Sequence, residues 1–232
     1  MLYLRMFVNM GVSLLTSRLI LNALGETDFG IYNVVGGVVV LFSFLTNAMT
    51  SSTQRFLNYN FGLKNESKVS HIFNVSILTH FTIFLLVLLL SETVGLWFVM
   101  TQLNIPVGRE TATMWVYQMS VVTTLIGIMV IPYRASIIAA ERMSIFAYVS
   151  ILEVALKLVV VLVLSYMSFD NLVMYSILLT LVALLNFFIY QIECRRKLSF
   201  TKYHFVWDKS QYKEMMSFSS WYLFGGMAMV GA

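Results

Sequence analysis

The chain has 232 residues, of which 59% are hydrophobic and 11% charged, and its mean hydropathy is +0.82. A soluble domain carries roughly 25% charged residues, so this composition belongs in lipid. Two prolines and long apolar runs exclude a disordered or collagen-like chain, and uncharged stretches above about 18 residues are too long for barrel strands, which leaves helices to do the spanning. The net charge of +4 would suggest nucleic acid in a soluble protein. Here the basic residues stand mainly between apolar runs, where membrane topology accounts for them, and no nucleic-acid partner is expected.

The first apolar stretch, from about Leu2 to Ala23, carries Arg5 and Arg18 and lacks a small-residue cleavage site. It therefore reads as a retained span, not a signal peptide. Arg18 follows Ser17, precedes Asn22 by one turn and stands one to two turns from the outer end. It either snorkels outward or serves a cavity. A second span is predicted from Phe29 to Gln54. On it Asn47, Ser51, Arg55 and Asn58 follow i, i+4, i+8, i+11 spacing and share one helical face, with Thr50 and Gln54 at its edge. Such a face suits a wet cavity; the alternative is that Arg55 snorkels to the headgroups.

The third span, Val69 to Ser91, has His80 at its middle, either in a proton relay or as a polar residue packed between helices. Glu92 and Trp97 follow at its outer end as a water-reaching acid and an interface anchor. The fourth runs from Thr111 to Tyr133, and Pro132 is expected to kink or end it. The fifth, from about Ser144 to Met167, holds Glu153 and Lys157 in acid-first i, i+4 order. The two either neutralise each other or form a coupling pair that exposes Lys157 to an anionic substrate when Glu153 is protonated or re-paired. The sixth runs from Asn171 to Ile192.

Beyond it, the lone Cys194 has neither a disulfide partner nor metal-ligand spacing. The Lys202 to Lys213 segment mixes Tyr203, Phe205, Val206 and Trp207 with basic residues. It reads as a strand-like or amphipathic piece at the cytoplasmic interface, or as a linker with aromatic anchors. Met215 to Ala232 is apolar, contains Gly225, Gly226 and Gly231, and has no flanking charged anchor. The expectation is a fragment: a six-helix lobe with its cytoplasmic connection over residues 1–214, and the start of a seventh helix over 215–232.

Connections after the second, fourth and sixth spans hold Lys64 and Lys68, then Arg134 and Arg142, then Arg195, Arg196, Lys197, Lys202, Lys209 and Lys213. The opposite set holds Arg109 with Glu26, Asp28, Glu110 and Asp170. Basic connections stay in the cytoplasm, which puts the N-terminus inside. No G-x-S-x-G, phosphate-loop or H-E-x-x-H signature occurs, and His71, His80 and His204 lack metal spacing, so no enzyme, metal or cofactor is expected.

Four stretches, in order, resemble the polysaccharide and O-antigen flippases of the multidrug/oligosaccharidyl-lipid/polysaccharide (MOP) exporter superfamily. They are Thr16-Ser17-Arg18 with Leu24-Gly25-Glu26-Thr27-Asp28-Phe29-Gly30-Ile31-Tyr32-Asn33; Ser52-Thr53-Gln54-Arg55-Phe56-Leu57; Ile131-Pro132-Tyr133-Arg134 with Ala139-Ala140-Glu141-Arg142-Met143; and Phe205-Val206-Trp207-Asp208. The resemblance implies an all-α integral membrane protein with a MATE-like bundle of twelve to fourteen helices in two lobes, of which this chain supplies the first. It implies a multi-pass protein of the bacterial inner membrane that moves undecaprenyl-pyrophosphate-linked oligosaccharide by alternating access, with membrane lipid and the missing C-terminal lobe as partners. On that reading Arg18, Arg55, Asn47, Ser51 and Lys157 are substrate-binding candidates, and Glu153 and His80 coupling candidates. The alternatives are a MATE-type multidrug exporter, which would place acids in the cavity, and an integral-membrane polysaccharide polymerase, which would carry a large outward loop.

Overall fold

The computed structural model describes residues 2–40, 43–164, 166 and 169–218, with side chains at all of these except 2–9, 12–15, 40 and 43–48. The described residues are helical with short connections and no strand. Helix α1 spans Leu2–Val40, α2 Ser43–Gly62 and α3 Glu66–Leu90; a π-helical turn over Ser91–Gly95 leads into α4, Leu96–Thr101. Then come α5 (Glu110–Ala139), α6 (Met143–Leu164), α7 (Asn171–Lys197), a 3-10 turn at Ser199–Thr201 and a helix over residues 209–218.

Four of these stretches are long and apolar enough to cross a membrane: Glu66–Thr101, Glu110–Ala139, Met143–Leu164 and Asn171–Lys197. They correspond to the expected third to sixth spans. The expected first span lies in α1, and the described residues of the expected second, 29–40 and 43–54, are helical in α1 and α2; neither span is among these four. Of the expected seventh, only residues up to 218 are described. The spanning helices leave large apolar side chains open, among them Leu85, Leu89, Leu152, Leu162, Leu181 and Phe188. A helix that is apolar all round and yet only partly covered by protein is one whose solvent is lipid.

Local signals explain the element ends. Gly25 sits at φ 77°, ψ 169°, open to glycine but not to other residues, and breaks α1 between the expected first and second spans. Asn65 Oδ1 accepts the Lys68 amide at 3.0 Å and caps α3. Asp170 Oδ1 accepts the Leu172 and Val173 amides at 3.0 and 3.2 Å and caps α7, whose last turn carries Arg195, Arg196 and Lys197 against the helix dipole. Within the apolar helices, Thr79, Thr82 and Ser136 hydroxyls donate to carbonyls one turn back, at 2.8 to 3.1 Å, so they reach lipid depth already satisfied.

One expectation requires correction. Pro132 does not end its helix: α5 continues to Ala139. Ile131, Pro132, Tyr133, Ala135 and Ser136 are all buried there, and packing on every side holds a helix through the missing amide. Of the alternatives for the segment from Lys202, the linker fits: residues 203–208 are neither strand nor helix, and regular structure resumes at 209.

The chain divides into two compact units, each discontinuous in sequence. Unit one comprises residues 1–41, 88–126 and 147–186; unit two comprises 42–87, 127–146 and 187–232. Unit one is cored by Ile20, Val160, Val161, Leu164, Tyr175 and Val182. Unit two holds an aromatic chain in which Phe73 meets Tyr133 at 5.6 Å between centroids and Tyr133 meets Phe187 at 5.9 Å, both edge-on. The buried Cys194 thiol donates to the Tyr133 carbonyl at 3.4 Å and is a packing residue.

Candidate functional site

In unit two, α2 and α3 and the start of the helix over 209–218 enclose a cavity of about 640 Å3. Its charged lining is Arg55, Lys68, His71, Asp208 and Glu214, with Tyr59 and Asn60 among its other walls. The Arg55 guanidinium lies 4.4 Å from the centre of the Phe218 ring, a contact that fixes its direction without neutralising it. Among the described residues neither Arg55 nor Lys68 forms a salt bridge. His71 Nε2 and Asp208 Oδ2 are 2.9 Å apart. The Gln211 amide, and after it the His71 ring, hold the Asp208 carboxyl below the usual carboxylate range.

The predicted polar face of α2 is split. Asn58 lines a different groove of unit two, with Phe61, Arg142 and Lys197, while Arg55 opens into the cation-bearing cavity. The face is broad enough to straddle the ridge between two grooves, so shared helical phase does not mean a shared cavity. Ser51 is half-buried and lines neither; the neighbouring Ser52 is fully buried and donates to the Met215 carbonyl at 3.2 Å. Asn47 falls in α2, and its side chain lies outside the described residues.

In unit one, a cavity of about 570 Å3 is lined by Thr16, Ser17, Thr123, Tyr175 and the Glu153/Lys157 pair. Lys157 Nζ donates to Glu153 Oε1 at 2.6 Å. The expected neutralisation is realised, and the pair is half-exposed to the cavity, where either charge stays within reach of water. Arg18 is exposed and is not among the residues that line this cavity, although its neighbour Ser17 is. His80 is fully buried: Nδ1 donates to the Ser76 carbonyl at 2.7 Å, and Nε2 meets no partner among the described residues. No relay chain surrounds it within that set.

Sequence reasoning missed two assemblies. Arg109 Nε donates to Asp28 Oδ1 at 2.8 Å, its Nη2 reaches the other Asp28 oxygen and its Nη1 reaches Asp170. This is a bidentate fork plus a third bond, joining the connection before α5, the chain just after Gly25 and the cap of α7. Asp28 foremost, with Asp170, raises the guanidinium further above its ordinary range. The hint was already present, since Arg109 is the one cation in an otherwise acidic set of connections. The second is His71 with Asp208, 137 positions apart, for which spacing gives no signal. Among the described residues no group of His, Cys, Asp or Glu is arranged to hold a metal. Compared with models of known protein families, with curated proteins and with solved structures, the chain matches none.

Proposed function

We propose that the chain is the first lobe of a flippase that carries undecaprenyl-pyrophosphate-linked oligosaccharide from the cytoplasmic to the outer leaflet of the bacterial inner membrane. Six spans and the start of a seventh, with the N-terminus cytoplasmic, complete this reading. The observation that carries it is the unit-two cavity, where Arg55 and Lys68 stand without salt bridges among the described residues beside His71. A pyrophosphate needs cationic donors to cross a low-dielectric region, and arginine offers them in a bidentate fork. The four resembling stretches support the same cargo, with Arg18 as a second arginine and Glu153/Lys157 as the coupling pair.

A MATE-type exporter would need acids to dominate the cavity and draw a cationic drug, but Glu153 is joined to Lys157, and among the described residues of the unit-two cavity Glu214 is the one acid outside a salt bridge, against both Arg55 and Lys68. A polymerase would need a large outward loop, and the connections of unit one are short. The test is Arg55→Ala in the full natural protein. Accumulation of inward-facing lipid-linked oligosaccharide is expected; normal export would remove Arg55 from the cargo site and the flippase reading with it.

A further inference from the structure

The stretch between α7 and the helix over 209–218 lacks regular structure over residues 202–208, yet it and the start of that helix are fastened to α3 at three points. The His204 amide donates to Asn74 Oδ1 at 2.8 Å, Asp208 Oδ2 meets His71 Nε2 at 2.9 Å, and the Tyr212 hydroxyl bonds Thr82 Oγ1 at 3.1 Å. The stretch is thus a strap on α3 that reaches the cation-bearing cavity at Asp208.

Asp208 does two separate jobs in it. Its Oδ1 accepts the Ser210 and Gln211 amides at 2.9 and 3.0 Å, which caps the following helix. Its Oδ2 is free of that work and faces His71 alone among the described residues. The cavity therefore offers two basic groups without salt bridges, Arg55 and Lys68, and one group, His71, engaged by a carboxylate the chain itself supplies. Glu214, also in the wall, takes only a long 3.4 Å bond from Gln211.

We propose that Asp208 is a tethered anion in the place of a ligand phosphate: a phosphate- or pyrophosphate-bearing group enters beside Arg55 and Lys68, replaces Asp208 at His71 and so releases the middle of the strap's three fastenings to α3, which loosens the stretch between the His204 and Tyr212 contacts. The inference rests on the reading of this cavity as a phosphate site and adds to it a residue that competes with the cargo and an element that moves when the cargo binds. The capping oxygen stays on its amides throughout, so the helix survives the exchange and only the clamp opens. A ligand that must first displace an internal competitor binds more weakly by the fraction of time the site is blocked. For a half-exposed pair that factor is about two- to fivefold.

The experiment titrates inorganic pyrophosphate into the full natural protein in lipid nanodiscs, reading the His71 ring resonances and proteolytic cleavage within 202–208. Both signals are expected to respond. Asp208→Asn keeps the cap, because asparagine caps as well as aspartate, and is expected to tighten pyrophosphate binding about two- to fivefold. His71→Gln is expected to erase that gain. The same signals from undecaprenyl pyrophosphate, and not from the inorganic ion, would support the exchange and assign it to the lipid carrier. Pyrophosphate that binds with His71 and the strap unmoved, or an Asp208→Asn variant that binds no more tightly, overturns the exchange and leaves the cavity as a phosphate site. Failure of both ligands to bind the wild type and Asp208→Asn alike overturns the exchange, and if Arg55→Ala also exports normally the flippase reading falls with it.

Discussion

Unit one carries four Lys or Arg against six Asp or Glu, whereas unit two carries eleven against five and all of the histidines. The way those charges are used differs as much as their number. In unit one Arg109 is held by Asp28 and Asp170, and Lys157 by Glu153. In unit two, among the described residues, Lys197 alone of the eleven basic side chains forms a salt bridge, with Glu193 at 2.7 Å. Unit one pairs its charges within itself; unit two carries an excess of cations over its own acids, most of them outside salt bridges among the described residues. Anionic lipid headgroups attract such basic residues at about 1 kcal/mol each, and a phosphate-bearing cargo would meet the same excess.

That contrast can be broken most forcefully at Arg109. Arg109→Met would leave Asp28, itself buried, and Asp170 without their shared cation, and is expected to cost roughly 2 to 3 kcal/mol, the buried-pair figure discounted for partial exposure. Denaturant unfolding in detergent measures it, and a loss below about 0.5 kcal/mol, the level of an ordinary surface pair, would show the fork to be ornamental. Adding Asp28→Asn should recover part of the loss, because the buried carboxylate then no longer lacks a partner.

Next in size is the π-helical turn. A Cβ on Gly95 would overlap the Tyr117 hydroxyl, which donates to the Ser91 carbonyl at 2.5 Å. Gly95→Ala is expected to destabilise by about 1 to 3 kcal/mol through overpacking. Tyr117→Phe in the same chain removes the atom in the way, so the double variant should be more stable than Gly95→Ala alone; non-recovery in a thermal melt would place the clash elsewhere. Gly25→Ala follows at about 1 to 2 kcal/mol, the cost of a side chain at positive φ.

The smallest effect sharpens the other side of the contrast. Arg195→Gln with Arg196→Gln should change stability by less than about 0.5 kcal/mol, since both side chains are exposed and without salt bridges among the described residues. Attraction to anionic vesicles should instead weaken by about 1 kcal/mol per charge removed, measured by how the purified protein partitions anionic lipid into its annulus. A stability loss comparable to that of Arg109→Met would mean that unit two also spends its cations internally.

The sequence by itself determined the helical class, the places of the third to sixth spans along the chain and the Glu153/Lys157 pair, because each depends on hydropathy or on spacing within one helix. The division of charge was also legible, since basic residues cluster in alternate connections. Only the tertiary structure decided which polar residues meet. It carried α5 through Pro132, parted Arg55 from Asn58 into separate grooves, and left Arg18 out of the lining of the cavity that holds Lys157. It brought Arg109 to Asp28 and His71 to Asp208 across 81 and 137 positions. Burial and periodicity act over one or two turns and leave their mark in the local pattern, whereas a long-range ion pair is fixed by how whole helices and connections come to rest, which no short window of sequence records.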